Sequence, residues 1–234
     1  FLMTAWSPDD GKSSSAGEST ERLRAYTLWT VVVLALAFGH DGLNRNTVTR
    51  LLILLFLGVS LALGRRLRPP GGAPLFIGVC LASSLVVEFC YMFSRPVFPS
   101  LLFQAGDSVP VMASKTLVDW AFTAPAYLVI YAVFWWLLGR FRYSLTEYVV
   151  LFSAGQALGD GNAFFLAQPA MLLFLPYVML NYQAIQVLPY LWVRDQLKGQ
   201  SRRGSWLAPV VVIPATYWVV GACIQLAGKR LGLS

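Results

Sequence analysis

Apolar residues in this chain fall into seven long runs, separated by short connections that hold most of the charged residues. A helix needs about 20 apolar residues to cross the hydrocarbon core of a bilayer, with a lower limit near 17. The pattern therefore predicts about seven transmembrane helices, or six if the first run, which reaches spanning length only when Leu23 is added, does not cross. The predicted spans are Tyr26–Gly39, Val48–Gly64, Ala73–Ser94, Thr116–Leu138, Ser144–Gly159, Pro169–Val193 and Trp206–Ala227.

The composition assigns the chain to the integral membrane proteins. Hydrophobic residues make up 57% of the 234 residues and charged residues 12%, with a mean hydropathy of +0.61, whereas soluble domains carry about 25% charged residues. We expect an all-α polytopic bundle forming one transmembrane domain over residues 23–230. Residues 1–22 are rich in Ser, Gly and acids and predict a disordered tail. They lack the basic and apolar regions of a signal peptide.

The net charge of +7 does not predict nucleic-acid binding, because the basic residues lie in short connections between apolar runs. In a seven-span topology, twelve Lys and Arg residues fall on the side of the N-terminus and six on the other side. The positive-inside rule then predicts a cytosolic N-terminus and, in a eukaryotic cell, a C-terminus in the lumen of the endoplasmic reticulum. The six basic residues on the other side are Arg45, Arg50, Arg95, Lys115, Lys229 and Arg230.

The sequence predicts neither a metal nor a cofactor. The three cysteines lie within apolar runs, and the single histidine, His40, has no second histidine near it, so no metal-ligand spacing exists. The chain also contains no Walker loop, dinucleotide glycine fingerprint, HExxH, paired-aspartate motif or GxSxG. These absences argue against ATP-driven transport, metal-dependent prenyl transfer and serine hydrolysis.

Three acids within or beside the apolar runs are the catalytic candidates. Ionisable residues at membrane depth are costly and usually mark a functional site, which applies to Glu88, Asp119 and Asp160. Lys115 precedes Asp119 by four residues, so a structural ion pair is the alternative for that acid. Asp160 precedes Gly161, and its alternative is a turn at a helix end. Glu88 has no basic partner near it in the sequence. We expect all three carboxyl groups in the non-cytosolic half of the bundle.

Five further polar or aromatic residues are candidates for substrate binding. They lie in the apolar runs that carry the acids or in the run Pro169–Val193, and Gln156 lies one helical turn before Asp160, where the two could hold a substrate hydroxyl. Aromatic rings lining a pocket can stabilise a cationic ligand or a carbocation through their quadrupole. The candidates are Tyr91, Trp120, Gln156, Asn181 and Tyr182.

Three stretches, LVVEFCYMF (85–93), SAGQALGDGNAFFL (153–166) and PYVMLNYQAIQVLP (176–189), carry a family resemblance. Over about residues 73–193 the chain resembles the emopamil-binding-protein superfamily, which includes a sterol isomerase and the sigma-2 receptor. Glu88 matches the glutamate of that family and Asn181 its asparagine, while Asp119 matches its second acidic helix approximately. Ser84 stands where the family has a histidine, and this chain adds a span at each end. The resemblance implies intramembrane acids that protonate and deprotonate an isoprenoid lipid through a carbocation.

A weaker resemblance is to the fungal membrane-bound terpene cyclases of meroterpenoid pathways, which carry Glu-x-x-Tyr in an early helix, as Glu88 and Tyr91 do here. Both resemblances imply an isomerase or cyclase that protonates an olefin or epoxide of a terpenoid, meroterpenoid or sterol. The alternative is a membrane protein that binds a sterol or another lipid without turnover. The expected partners are the isoprenoid or sterol and membrane lipids, and no nucleic acid. Monomer and homodimer both stay open.

Overall fold

A computed structural model describes residues 13–67, 69, 71–197 and 206–233. The described part of the chain is helical and contains no β-strand, which confirms the predicted all-α bundle. Six of its helical segments have the length and apolarity needed to cross a membrane: Leu23–His40, Arg45–Gly64, Ala73–Tyr91, Val109–Arg140, Pro169–Gln196 and Leu207–Arg230.

The first helix, α1 (Ser13–Asp41), is longer than the apolar run that predicted it. The predicted tail lies outside the described residues up to residue 12, and from Ser13 the chain is helical, which differs from the expectation for residues 13–22. Extending an existing helix costs far less than nucleating one, so the span can propagate upstream. Gly42 then adopts a φ of 62°, a left-handed conformation that favours glycine, and α2 (Arg45–Arg66) begins after the Asn44 cap.

Helices α3 (Ala73–Tyr91) and α4 (Val109–Arg140) are joined by residues 92–108. The predicted span begins at Thr116, but α4 begins at Val109, with Pro110 in its first turn, where a missing N–H costs nothing. Four side chains of the connection, Met92, Phe98, Leu101 and Phe103, form a small apolar core of their own. The prolines therefore shape a folded connection, with one 3₁₀ turn at Pro99–Leu101.

The predicted span Ser144–Gly159 is the one that does not reach full spanning length. It consists of α5 (Leu145–Glu147), a π-helical segment Tyr148–Phe152 and α6 (Ser153–Asp160), with 3, 5 and 8 residues. The hydroxyl group of Ser153 donates to the carbonyl oxygen of Val149 within this π segment. The six-span count therefore differs from the expected one, since it keeps the first run and omits this segment.

The last part of the chain forms the centre of the bundle. After α7 (Asn162–Ala167) and a 3₁₀ segment Pro169–Phe174, the helix α8 (Leu175–Val193) packs against α1, α2, α3 and α6. Its residues from Met179 to Leu191 are all buried. Helix α9 (Leu207–Arg230) packs on α4 and α6. Every neighbour of α8 can therefore present side chains to it.

Contacts between the helices fix their directions. Ser84 contacts Tyr131 and Glu88 contacts Tyr127, so α3 and α4 run antiparallel. Helices α6 and α8 are also antiparallel, because Tyr182 near the start of α8 reaches Asp160 at the end of α6. The ends of α3 and α6 and the first halves of α4 and α8 consequently lie at one end of the bundle. This end holds the polar residues considered next.

Candidate active site

Glu88 lies on the inner side of α3, where its carboxyl oxygen Oε1 accepts a hydrogen bond from the hydroxyl group of Tyr127 on α4. The Glu88 side chain is partly buried. Tyr127 stacks on Tyr131, with ring centroids 5.8 Å apart and an angle of 8° between the planes. Tyr131 in turn hydrogen-bonds Ser84, the residue one turn before Glu88. The carboxyl group is thus held beside a wall of two tyrosine rings.

Asp119 and Asp160 belong to the same end of the bundle as Glu88. Both carboxylates are near enough to that of Glu88 to interact with it electrostatically, which places acids from three helices around one region. Tyr217 of α9 and Tyr182 of α8 lie within the same range of Tyr127. The three predicted catalytic residues are therefore brought together.

Asp119 is fully buried, and its Oδ1 accepts a hydrogen bond of 3.2 Å from the backbone N–H of Val97. Its Oδ2 is buried without a hydrogen-bond partner. The alternative of an ion pair with Lys115 is wrong: the Nζ of Lys115 contacts Asp107 at 2.7 Å and the carbonyl oxygen of Leu102 at 2.9 Å. Long side chains on a helix point back towards its N-terminus. The Lys115 side chain therefore reaches the connection that precedes α4.

Asp160 is exposed at the end of α6 and accepts a hydrogen bond of 2.7 Å from the hydroxyl group of buried Tyr182. The next residue, Gly161, separates α6 from α7, so Asp160 does stand at a helix end, as one interpretation expected. The Tyr182 ring meets Tyr217 edge-on, with centroids 6.2 Å apart. Asp160 and Tyr182 thus form the open rim of the polar region.

Gln156 is fully buried, and both ends of its amide have protein partners. Its nitrogen donates to the Oε1 of Gln186 at 3.0 Å, and its oxygen accepts from the Tyr217 hydroxyl at 2.9 Å. Gly155 and Gly159, on either side of it, allow close packing of α9, since an added Cβ would lie 2.6 Å from the Pro209 carbonyl oxygen and 2.7 Å from the Tyr217 Cβ. Shared contact of Gln156 and Asp160 with a substrate hydroxyl stays a prediction.

The amide of Asn181 bridges two helices. Its Nδ2 donates to the hydroxyl group of Tyr91 on α3, and its Oδ1 accepts from Nη1 of Arg50 on α2. The guanidinium group of Arg50 also lies over the ring of Tyr177, 3.9 Å from the centroid. Trp120, by contrast, uses its indole N–H to reach the Leu85 carbonyl oxygen at 3.1 Å, a link between α3 and α4.

The sequence patterns missed several residues of this region. Arg50 was expected in a connection, but it lies within α2 and only 6% of its surface is exposed. An arginine inside the limits of a predicted span was the signal that could have identified it. Tyr127 had a weaker signal, a tyrosine two turns beyond Trp120 on an otherwise apolar helix. Tyr177 belongs to the same aromatic-rich run as Tyr182, whereas Tyr217 carried no local signal, because only the packing of α9 brings it in.

Glu88, Tyr91, Tyr127, Tyr177 and Tyr217 all keep intermediate exposure. From this partial exposure between packed helices we infer a cleft, whose walls would be mainly aromatic rings. A separate cavity of about 510 Å³ is lined by other residues, among them Leu43, Val48, Phe93, Phe103 and Met112. No group of three or more His, Cys, Asp or Glu residues in the described ranges is arranged to hold a metal ion.

Comparisons with family models, curated proteins and solved structures find no match to this chain. The comparisons therefore assign no family, and the function has to be inferred from the geometry of the site.

Proposed function

We propose that this membrane protein isomerises or cyclises a lipophilic isoprenoid by proton transfer, with Glu88 as the acid. The observation that carries the proposal is the hydrogen bond between Glu88 and Tyr127 beside the stacked Tyr127–Tyr131 pair. A proton donor and a π-rich wall are the two elements that carbocation chemistry needs. A neutral carboxylic acid also costs far less than a carboxylate in apolar surroundings. The resemblances in sequence support the same chemistry.

The reaction balances without a co-reactant. The Glu88 carboxyl transfers its proton to one carbon of a C=C bond, whose π pair forms the new C–H bond and leaves a carbocation on the other carbon. In an epoxide, the proton goes to oxygen, the C–O bond breaks, and a neighbouring π bond attacks the cation to close a ring. A C–H proton is then lost to a carboxylate, and its electron pair forms the new double bond. Substrate and product are isomers in both cases.

Asp160 is the better placed acceptor for the second proton. It is exposed at the rim and can exchange protons with water, whereas Asp119 is fully buried. The hydrogen bond from Tyr182 orients the Asp160 carboxylate. Tyr91, Tyr182 and Asn181 then surround the substrate, and Trp120 keeps α3 and α4 in register.

The rival proposal is a lipid-binding protein that uses the same cleft without turnover. Both polar ends of Gln156 and one oxygen of Asp119 are engaged inside the protein, as they would be in a purely structural network. A binder needs the aromatic walls but not the proton donor. The two proposals therefore differ in what Glu88→Gln does.

The test incubates the detergent-purified protein with prenylated phenols, terpenoid epoxides and sterols and analyses the extracts by chromatography and mass spectrometry. We expect a product of unchanged mass and new retention time, with a rate at least about 10²-fold lower in Glu88→Gln. Glu147→Gln is the matched control, because Glu147 is exposed in a capping box with Ser144 where Gln serves equally well. A retained lipid that is never converted by the wild-type protein would leave the binding proposal in its place.

For the orientation, we propose a cytosolic N-terminus from the excess of Lys and Arg on that side, and a location in the endoplasmic reticulum if the source is eukaryotic. The polar cleft would then open towards the lumen. A membrane-impermeant thiol reagent tests this on Cys-free protein with single cysteines placed at Arg142 or Arg45, both exposed. Labelling of intact microsomes at position 142 and not at 45 supports it, and the reverse pattern contradicts it.

A further inference from the structure

Arg50 is a buried cation whose charge is not paired in the described part of the chain. Only 6% of its surface is exposed, so the side chain does not extend to the water at the membrane surface. No carboxylate of the described residues lies within 4.0 Å of its nitrogens, since the recorded ion pairs join Lys115 to Asp107 and Arg194 to Asp195. A buried guanidinium without a carboxylate partner is costly, which suggests that a ligand completes the site.

The contacts that Arg50 does make leave part of its hydrogen-bonding capacity free. Nη1 donates to Asn181, and the Tyr177 ring covers one face of the guanidinium plane at 3.9 Å. Nε is buried and has no partner. Guanidinium groups have five N–H donors and bind planar or tetrahedral anions through two parallel hydrogen bonds. The Nε edge of the Arg50 fork therefore lacks an acceptor, which an anion would supply.

An anion bound to Arg50 would lie at the cleft, close to Asn181 and Tyr91. Asn181 links Arg50 directly to Tyr91, which lies one turn after Glu88 on α3. Tyr91 is near enough to both Arg50 and Glu88 to interact with each electrostatically, so the cation and the proposed acid share this tyrosine as a neighbour. A molecule whose acidic end contacts Arg50 can extend its apolar part along the aromatic wall towards Glu88.

We propose that Arg50, positioned by Asn181 and Tyr177, binds an anionic head group, a carboxylate or a phosphate, on the isoprenoid ligand of this cleft. This inference rests on the proposed function for the identity of the apolar part, and it narrows the substrate class to isoprenoids with an acidic end. Neutral sterols and alcohols bind the same cleft more weakly, because they leave the guanidinium unpaired.

Ligands of one chain length and different ends test the proposal. Farnesoic acid, farnesyl monophosphate, farnesol and farnesylamine are titrated into the purified full chain, and the Kd of each is measured by thermophoresis. We expect the two acids to bind at least about tenfold more tightly than farnesol, the value that one charge-assisted hydrogen bond supplies, and the amine to bind most weakly. Equal Kd values for farnesol and the acids would overturn the proposal. The stronger of the two acids identifies the type of anion.

Substitutions test whether Arg50 causes the preference for acidic ligands. Arg50→Gln should remove the difference between the Kd values of the acids and that of farnesol, and Arg45→Gln is the matched control on the same helix, because Arg45 is exposed. A preference that survives in Arg50→Gln would contradict the assignment. If that variant does not fold, farnesoic acid carrying a diazirine beside its carboxyl is cross-linked to the wild-type protein. Labels on Tyr177 or Asn181 then support the site, and labels found only elsewhere overturn it.

These binding measurements are independent of turnover. A preference for acids without any isomeric product would retain the anion site and reject the proposed catalysis. A product that forms equally well from neutral substrates would retain the catalysis and reject the anion site.

Discussion

The backbone N–H of Val97 donates to Asp119 Oδ1 across 3.2 Å, and this bond ties the connection between α3 and α4 to the buried face of α4. The second oxygen of Asp119 is buried without a partner. The Asp119 carboxyl group thus uses one oxygen in a hydrogen bond that holds the connection, and its other oxygen has no hydrogen-bond partner. The second oxygen is the one that can carry a proton while the bond to Val97 stays in place.

Asp119→Asn and Asp119→Leu separate these two roles. Asparagine keeps an oxygen for Val97, so its apparent melting temperature in detergent should stay close to that of the wild type. Leucine removes the acceptor and leaves the Val97 N–H unpaired, which costs about 1–3 kcal/mol of unfolding free energy. Equal melting temperatures for the two variants would show that the bond to Val97 contributes little. Loss of product in the stable Asn variant would assign a chemical role to the free oxygen.

Tyr127→Phe tests whether the hydrogen bond to Glu88 positions the proposed acid. We expect kcat to fall by about tenfold or more, because the carboxyl group loses the donor that orients it, while KM changes little. Tyr190→Phe is the matched control, since Tyr190 donates a hydrogen bond of 2.8 Å to the Tyr143 carbonyl oxygen at the other end of the bundle. A proportional loss of activity in both variants would indicate a general loss of stability instead.

Hydropathy was sufficient for the membrane class and most helix positions, because spanning length and apolarity are properties of contiguous residues. It did not anticipate that Ser144–Gly159 contains a π segment and is shorter than a full spanning helix. The cost of burying charge drew attention to Glu88 and Asp119 as candidates. The partners of these acids were not accessible to the same reasoning: Tyr127 and Val97 lie 39 and 22 residues away, and Arg50 and Asn181 are 131 residues apart. Such contacts depend on packing between helices.

The pair formed by Asp107 and Lys115 predicts a dependence of stability on pH. The pKa of Asp107 lies below its usual 3.8. The main cause is the hydrogen bond of 2.8 Å that its Oδ2 accepts from the backbone N–H of Gln104, and the second is the bond from the Lys115 ammonium group. Asp107 therefore stabilises the folded protein fully above pH 3.8, and this contribution is lost as the pH falls through the lower, folded-state pKa. The melting temperature of the wild type should exceed that of Asp107→Asn near pH 6, and the difference should shrink as the pH approaches about 3. A difference that is constant over this range would contradict the prediction.

Gly155→Ala tests the close contact between α6 and α9. The new Cβ would meet the Pro209 carbonyl oxygen at 2.6 Å and Ile213 at 3.1 Å, and because one of these atoms is backbone, the helices must move apart. We expect a loss of about 1–3 kcal/mol of unfolding free energy, typical of overpacking. Gly78→Ala is the matched control, since no atom lies within 4 Å of its added Cβ in α3. Alanine favours a helix over glycine by about 0.5–1 kcal/mol, so this control should be as stable as the wild type or more stable. Equal melting temperatures for Gly155→Ala and Gly78→Ala would show that α6 and α9 are not packed this closely. The hydrogen bond between Tyr217 of α9 and Gln156 of α6 depends on the same packing and would then lack support.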